Sequence, residues 1–209
     1  MTCGGGPDDP QDLEFRRGCT GRDVDAALAV FDAAWGAGTP WRRRRSQLEA
    51  SFRADPGLLA MACAGEEVVG CVASDGVDVI TVVAVRDSWR GRGVGRRLLQ
   101  ETEGLLAARG ADRVTLGSVD EALAFYRRCG YTGRWLIQVD PRIADPSAVI
   151  EMLVDGVLAG HTVRLSCWEG HPQLWLDEPG DPALRRRVES VSGVVVQAVM
   201  QKTFALGTG

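Results

Sequence analysis

The chain has 209 residues, 45% of them hydrophobic, and a formal charge of −4. That length suits one large domain, or one domain with an appendage, and carries enough apolar material for a real core. The acidic balance argues against bulk binding to nucleic acid or to an anionic membrane surface, while locally clustered arginines suit a small anionic ligand. The six cysteines form no C-x-x-C pair, and His161 and His171 lie far from any such pair, so no metal site is expected. The opening "MTCGGGPDDPQD" is polar and glycine-rich rather than a signal peptide. No apolar run approaches the roughly 18 residues of a membrane span. A cytoplasmic protein with reduced thiols is the expectation.

Residues 1–12 read as a disordered tail, and "LEFRRGCT" (13–20) as a short strand of poor quality. Val24, Ala27, Leu28, Phe31 and Trp35 recur at helical spacing and predict an amphipathic helix ending in the Gly36–Pro40 region. A second helix is predicted over about 42–53, stopped by Asp55-Pro56-Gly57. "LLAMACAG" and "EEVVGCVAS" form a predicted hairpin turning near Gly65-Glu66. "VDVITVVAV" (77–85) is β-branched and almost wholly apolar, as a central buried strand should be.

Over 93–108, Val94, Leu98, Leu99, Leu105 and Leu106 share one helical face, closed by Gly110. "DRVTLGSV" reads as a strand. Ser118-Val119-Asp120-Glu121 has the S-x-x-E form of a capping box, predicting a helix from there to Gly130, followed by the strand "RWLIQV". Two prolines interrupt the pattern in "DPRIADPS" (140–147), where a boundary is expected. Beyond it the order helix (147–158), strand (162–168), turn (169–172), strand (173–177), helix (182–191), strand (194–204) is predicted. Asp145-Pro146 and Asp181-Pro182 each read as an N-cap followed by proline in the first turn. The predicted organisation is a domain over 13–140 and an α-β-β-α-β extension over 141–209, the latter either a substrate lid or a dimerisation element.

The stretch "SWRGRGVGRRLL" (88–99) lies between the apolar strand and the amphipathic helix. A Walker loop would need a lysine after its glycines, and none follows. A dinucleotide fingerprint would need a third glycine where Arg96 stands, and the next strand lacks a well-placed acid for a ribose. The pattern R/Q-x-x-G-x-G/A is met in full by Arg90-Gly91-Arg92-Gly93-Val94-Gly95. Amides around such glycines can point at a diphosphate, and a helix N-terminus adds partial positive charge.

With "ITVVAV" before it and "ALAFYRRCGY" about 36 residues after it, this loop resembles the GNAT superfamily of acyl-CoA-dependent N-acyltransferases, over roughly residues 13–138. The resemblance implies an α/β (α+β) fold with a mixed, splayed central sheet flanked by helices. It implies acetyl-CoA as co-substrate: the backbone of Val83 and Val85 would pair with pantetheine, and the amides from Arg90 through Gly91, Arg92, Gly93, Val94 and Gly95 to Arg96 would take the diphosphate. Tyr126 matches the tyrosine that often protonates the departing thiolate. The asparagine common seven residues earlier is replaced by Val119, so that side-chain contact to the cofactor arm is missing.

No general base is identified. Asp78 sits beside the aligned position, Val79, and strand alternation turns the two to opposite faces. Cys129 has no neighbouring histidine in sequence and reads as a small core residue, and Tyr131 as structural. Trp41 and Arg42–Arg45 fall where the acceptor site is usually lined, which would suit an anionic acceptor; a solvated helix face explains them equally well. The expected activity is transfer of an acetyl or short acyl group to a primary amine of a small molecule or a protein, by direct transfer in a ternary complex. Rival readings are a non-catalytic acyl-CoA sensor, and decarboxylation or acyl loading onto a carrier protein. A homodimer is possible through the strand edges of the extension.

Overall fold

A computed structural model describes residues 13–35, 39–177 and 181–204. The expected tail (1–12) and the helix stop at Gly36 lie outside the described residues. The chain divides into two compact units, Met1–Val114 with Thr203–Gly209, and Thr115–Lys202. The architecture is mixed α and β, with antiparallel sheets flanked by helices.

The first unit holds β1 (Glu14–Arg17), β2 (Leu59–Ala64), β3 (Glu67–Ser74) and β4 (Ile80–Val85) in that sheet order, each pair antiparallel. Its helices are α1 (Gly21–Ala34), α2 (Pro40–Ala54) and α3 (Val94–Ala108). Side-chain alternation along β3 decides which helix covers which face. Cys71 and Ala73 enter a core with Val24, Leu28 and Phe31 of α1 and Phe52 of α2. Gly70 faces α3: a Cβ there would lie 3.1 Å from Leu98 and 3.2 Å from Val94, so glycine lets the helix settle close to the sheet.

α1 starts at a capping box built by Thr20 and Asp23, which sequence reading overlooked. The Asp23 carboxylate accepts from the Cys19 and Thr20 amides, each at 2.9 Å, from the Thr20 hydroxyl, and from Arg16 Nη2 at 2.7 Å. The Arg16 bond, acting against burial, holds this carboxyl well below the usual carboxylate range. A depressed folded pKa means stability that is complete above the unfolded value, about 4, and lost progressively as pH falls from there through the lower folded value. Asp23→Ala should therefore cost about 2 kcal/mol at neutral pH, from loss of the cap and an unpaired Arg16. Denaturant titrations at pH 7 and pH 3 check this: the gap between variant and wild type should narrow in acid.

β4 differs from its predicted form. It begins at Ile80, because Asp75 Oδ1 accepts the amides of Val77, Asp78 and Val79 at 2.8, 3.1 and 3.0 Å and holds them in a loop. It is also the last strand of its sheet rather than a central one, with alternating burial along its length.

The second unit carries β5 (Arg113–Ser118, which begins just before the division), α4 (Leu123–Arg128), β6 (Thr132–Val139), α5 (Pro146–Met152), β7 (Val163–Trp168), β8 (His171–Asp177), α6 (Pro182–Glu189) and β9 (Val194–Thr203). Sheet order is β5-β9-β6-β8-β7. β6 precedes the break expected near residue 140 while its neighbours β9 and β8 follow it, so strands on both sides of that point share one sheet. Trp135, Ile137, Leu174 and Val196 pack with Ile150, Leu184 and Val188 in a single core. The N-caps Asp145 and Asp181 form as predicted, accepting from Ala148 and Ala183. The Ser118 capping box does not form: Ser118 ends β5, and its hydroxyl donates to the Val119 carbonyl at 2.8 Å.

The β7–β8 turn is tighter than predicted, since Trp168 already pairs with His171. Its two residues, Glu169 (φ +50°) and Gly170 (φ +82°), both have positive φ, the signature of a type I′ turn. A side chain other than Asn or Asp costs about 1 kcal/mol at the first position. Glu169→Asn should raise stability by roughly that amount, read as a higher unfolding midpoint.

Candidate acyl-CoA site

Two features of the first unit converge on the glycine-arginine loop. The Arg86 amide donates to Val69 O at 2.9 Å, which makes these two residues a hydrogen-bonded pair. By antiparallel alternation Ala84 and Val82 also turn their backbone groups toward β3, whereas Val83 and Val85 turn theirs to the free edge. The Val85 carbonyl bears this out by accepting from Arg90 Nε at 3.3 Å. The side chains of Val83 and Val85 are half-buried, so backbone exposure and core packing coexist.

After β4, a short 3-10 turn (Asp87–Trp89) buries Trp89 and leads into the loop. Gly91 (φ +75°) and Gly93 (φ +84°) occupy the left-handed region, and a Cβ on either would meet nothing within 4 Å. Gly93 is the N-cap of α3, whose first intrahelical bond runs from the Arg97 amide to Gly93 O at 3.1 Å. The amides of Val94, Gly95 and Arg96 precede that bond. No side chain caps this end, and no acidic residue stands in the first turn. Arg96 and Arg97 stand there instead, an arrangement that opposes the helix dipole and that an anion would relieve.

The arginines are partly committed elsewhere. Arg90 pairs with Asp87 at 3.0 Å, Arg92 lies over the Trp89 ring at 5.0 Å, and Arg97 bonds Glu101 at 2.8 Å. The glycine backbone is therefore the less encumbered part of the loop.

On α2, Arg45 donates through Nε to both oxygens of Asp32, Arg42 lies 3.3 Å from it, and Trp41 Nε1 donates to it at 2.9 Å. Burial opposes ionisation of Asp32, but these donors outweigh it and hold the carboxyl below its usual range. Arg42 and Arg45 thus brace α1 against α2, while Arg43 and Arg44 are exposed. Asp78 lies in the Asp75 loop rather than on a strand.

In the second unit Tyr126 is buried on α4, its ring 5.1 Å from that of Phe125 and 5.8 Å from that of Tyr131. Burial, with a smaller contribution from Cys129, raises its phenol above the ordinary tyrosine value. Tyr131 is also buried. Trp175 Nε1 donates to Ser166 Oγ at 3.0 Å, and Asp177 pairs with Arg134 at 3.0 Å. Among the described residues no three His, Cys, Asp or Glu side chains are grouped to hold a metal, and no helix is long and apolar enough to cross a membrane.

Residues 25–131 match the family model described as acetyltransferase (GNAT) family. The chain belongs to the GNAT acetyltransferase family. Solved GNAT structures share its fold. A GCN5-related N-acetyltransferase from Rhodopseudomonas palustris aligns over 92% of this chain and 96% of its own, at 19% identity and a TM-score of 0.52. A GCN5-related N-acetyltransferase from Kribbella flavida aligns over 92% and 72%, at 17% identity and a TM-score of 0.53. At these identities the likeness is one of fold. Among curated proteins none matches the chain in sequence.

Proposed function

We propose that this GNAT member transfers an acetyl or short acyl group from acyl-CoA to a primary amine of a small molecule or a protein, in a cytoplasmic setting. The observation that carries the reading is the uncapped, arginine-flanked N-terminus of α3 behind two left-handed glycines, following directly on the free edge of β4. Amides of the loop between Arg90 and Arg96 hold the diphosphate, and open space above Gly91 and Gly93 leaves room for it. Val83 and Val85 pair with the pantetheine amides as an added strand would.

In the reaction the neutral amine attacks the thioester carbon, and the C–S bond breaks as the C–N bond forms. The nitrogen gives its extra proton to solvent. The departing thiolate takes a proton from the Tyr126 phenol, which burial keeps protonated. Thiol release should be measured with acetyl-CoA and short acyl-CoAs against a panel of small amines and peptide N-termini. Amine-dependent release is expected. Absence of CoA binding by calorimetry overturns the reading, and binding without turnover on any amine favours a sensor instead.

A further inference from the structure

α5 and α6 cover one face of the second unit's sheet, and side-chain alternation sends another set of residues to the opposite face. There Gln138 on β6 and Gln173 on β8 stand as a cross-strand pair, flanked by Val195 on β9 and Trp168 on β7. They line an open cleft of about 460 Å³.

Gln173 is only 7% exposed, and its side-chain amide bonds no described residue. Its amide atoms are not sealed in the interior but open into the cleft, where their donors and acceptors can meet an incoming ligand. Trp168 beside it is 59% exposed and Val195 60%, high values for large apolar groups, and they give the cleft a mostly apolar wall around the two glutamines. The tight Glu169-Gly170 turn fixes Trp168 opposite His171. The rim charges cancel: Asp140 accepts from Arg142 at 2.7 Å, and these bonds pull its carboxyl down to about 2.

We propose that this cleft binds a neutral saccharide. Each glutamine amide both donates and accepts, as each sugar hydroxyl does, and side chains paired across adjacent strands stand roughly 5 Å apart, a spacing that neighbouring hydroxyls can bridge. The Trp168 indole offers a flat apolar face to the C–H face of a sugar ring. A cancelled rim charge selects against ionic ligands, and the volume falls in the range that holds one or two rings. A peptide would satisfy the same amides, but extended peptides join a sheet at its edge rather than lie across its side chains. The site is built from the second unit alone, and the proposal does not rest on acyl transfer.

The test is a titration of the full ¹⁵N-labelled chain with glucose, galactose, mannose, N-acetylglucosamine, maltose and lactose. At least one sugar should produce saturable shifts of the Gln138 and Gln173 side-chain NH₂ resonances, together with a change in Trp168 fluorescence. Gln173→Ala and Trp168→Ala should each weaken that binding about tenfold or more. If Gln173→Ala unfolds, Gln138→Ala and the exposed Trp168→Ala carry the test. No saturable response to any of the six sugars overturns the proposal. Shifts that follow protein concentration instead, and vanish in Trp168→Ala, also overturn it, because a second copy of the chain then occupies the face.

Discussion

Gly93→Asp should weaken acetyl-CoA binding about 100-fold, corresponding to roughly 3 kcal/mol or about two charge-assisted hydrogen bonds. Gly93 caps α3 at φ +84°, with open space where a Cβ would project. An aspartate there places a carboxylate where the diphosphate is proposed to lie, and it offers the helix an internal cap that competes for the same amides. Gly93→Ala separates the two effects. It carries the strain of a positive φ, about 1–2 kcal/mol charged to folding, but no competing charge, and should bind much nearer to wild type. Calorimetry with acetyl-CoA reads both variants, with thermal unfolding alongside. Unchanged affinity in the aspartate variant would show that the loop does not hold the diphosphate.

Tyr126→Phe should lower kcat by 10²-fold or more, the usual worth of a positioned general acid, while acetyl-CoA affinity stays near wild type. The split matters because a packing role would move stability and binding together instead. Burial raises this phenol's pKa in the folded chain, so the group remains a proton donor throughout the neutral and mildly alkaline range. The sign of the linkage follows. A folded pKa above the unfolded value, about 10, contributes stability that is complete below it and lost as pH rises through the folded value. Wild type should therefore lose stability faster than Tyr126→Phe in strongly alkaline buffer. Equal turnover by the two proteins would remove Tyr126 from the chemistry.

Local signals were the legible ones. The glycine spacing of 91–95, the Asp-Pro caps and the hairpin at Gly65-Glu66 depend on residues close in sequence, and each formed where expected. Competition between local options misled the reading twice. Ser118 matched a capping pattern, yet its hydroxyl went to a neighbouring carbonyl, while the true box at Thr20 used aspartate where glutamate is the familiar signal. Val77 fitted a strand by composition, but one Asp75 carboxylate took three successive amides out of the ladder. Long-range facts had no local signal at all. An apolar run such as "ITVVAV" reads alike in a central strand and in a last strand with one free edge, and nothing in residues 141–209 announces β6 as their neighbour. The arginines of α2 show a related limit, because their partner Asp32 lies on another helix.

The place of β9 bears on how the chain acquires its structure during synthesis. β9 lies between β5 and β6, so the middle of the second sheet stays open until Val194–Thr203 has emerged from the ribosome. The four strands of the first sheet are complete by Val85. Pairings that span so much sequence form slowly, because loop-closure entropy must be met before their contacts reward it. The first sheet can then be in place while β5 and β6 still present unpaired edges, the state most exposed to chaperones and to misassembly.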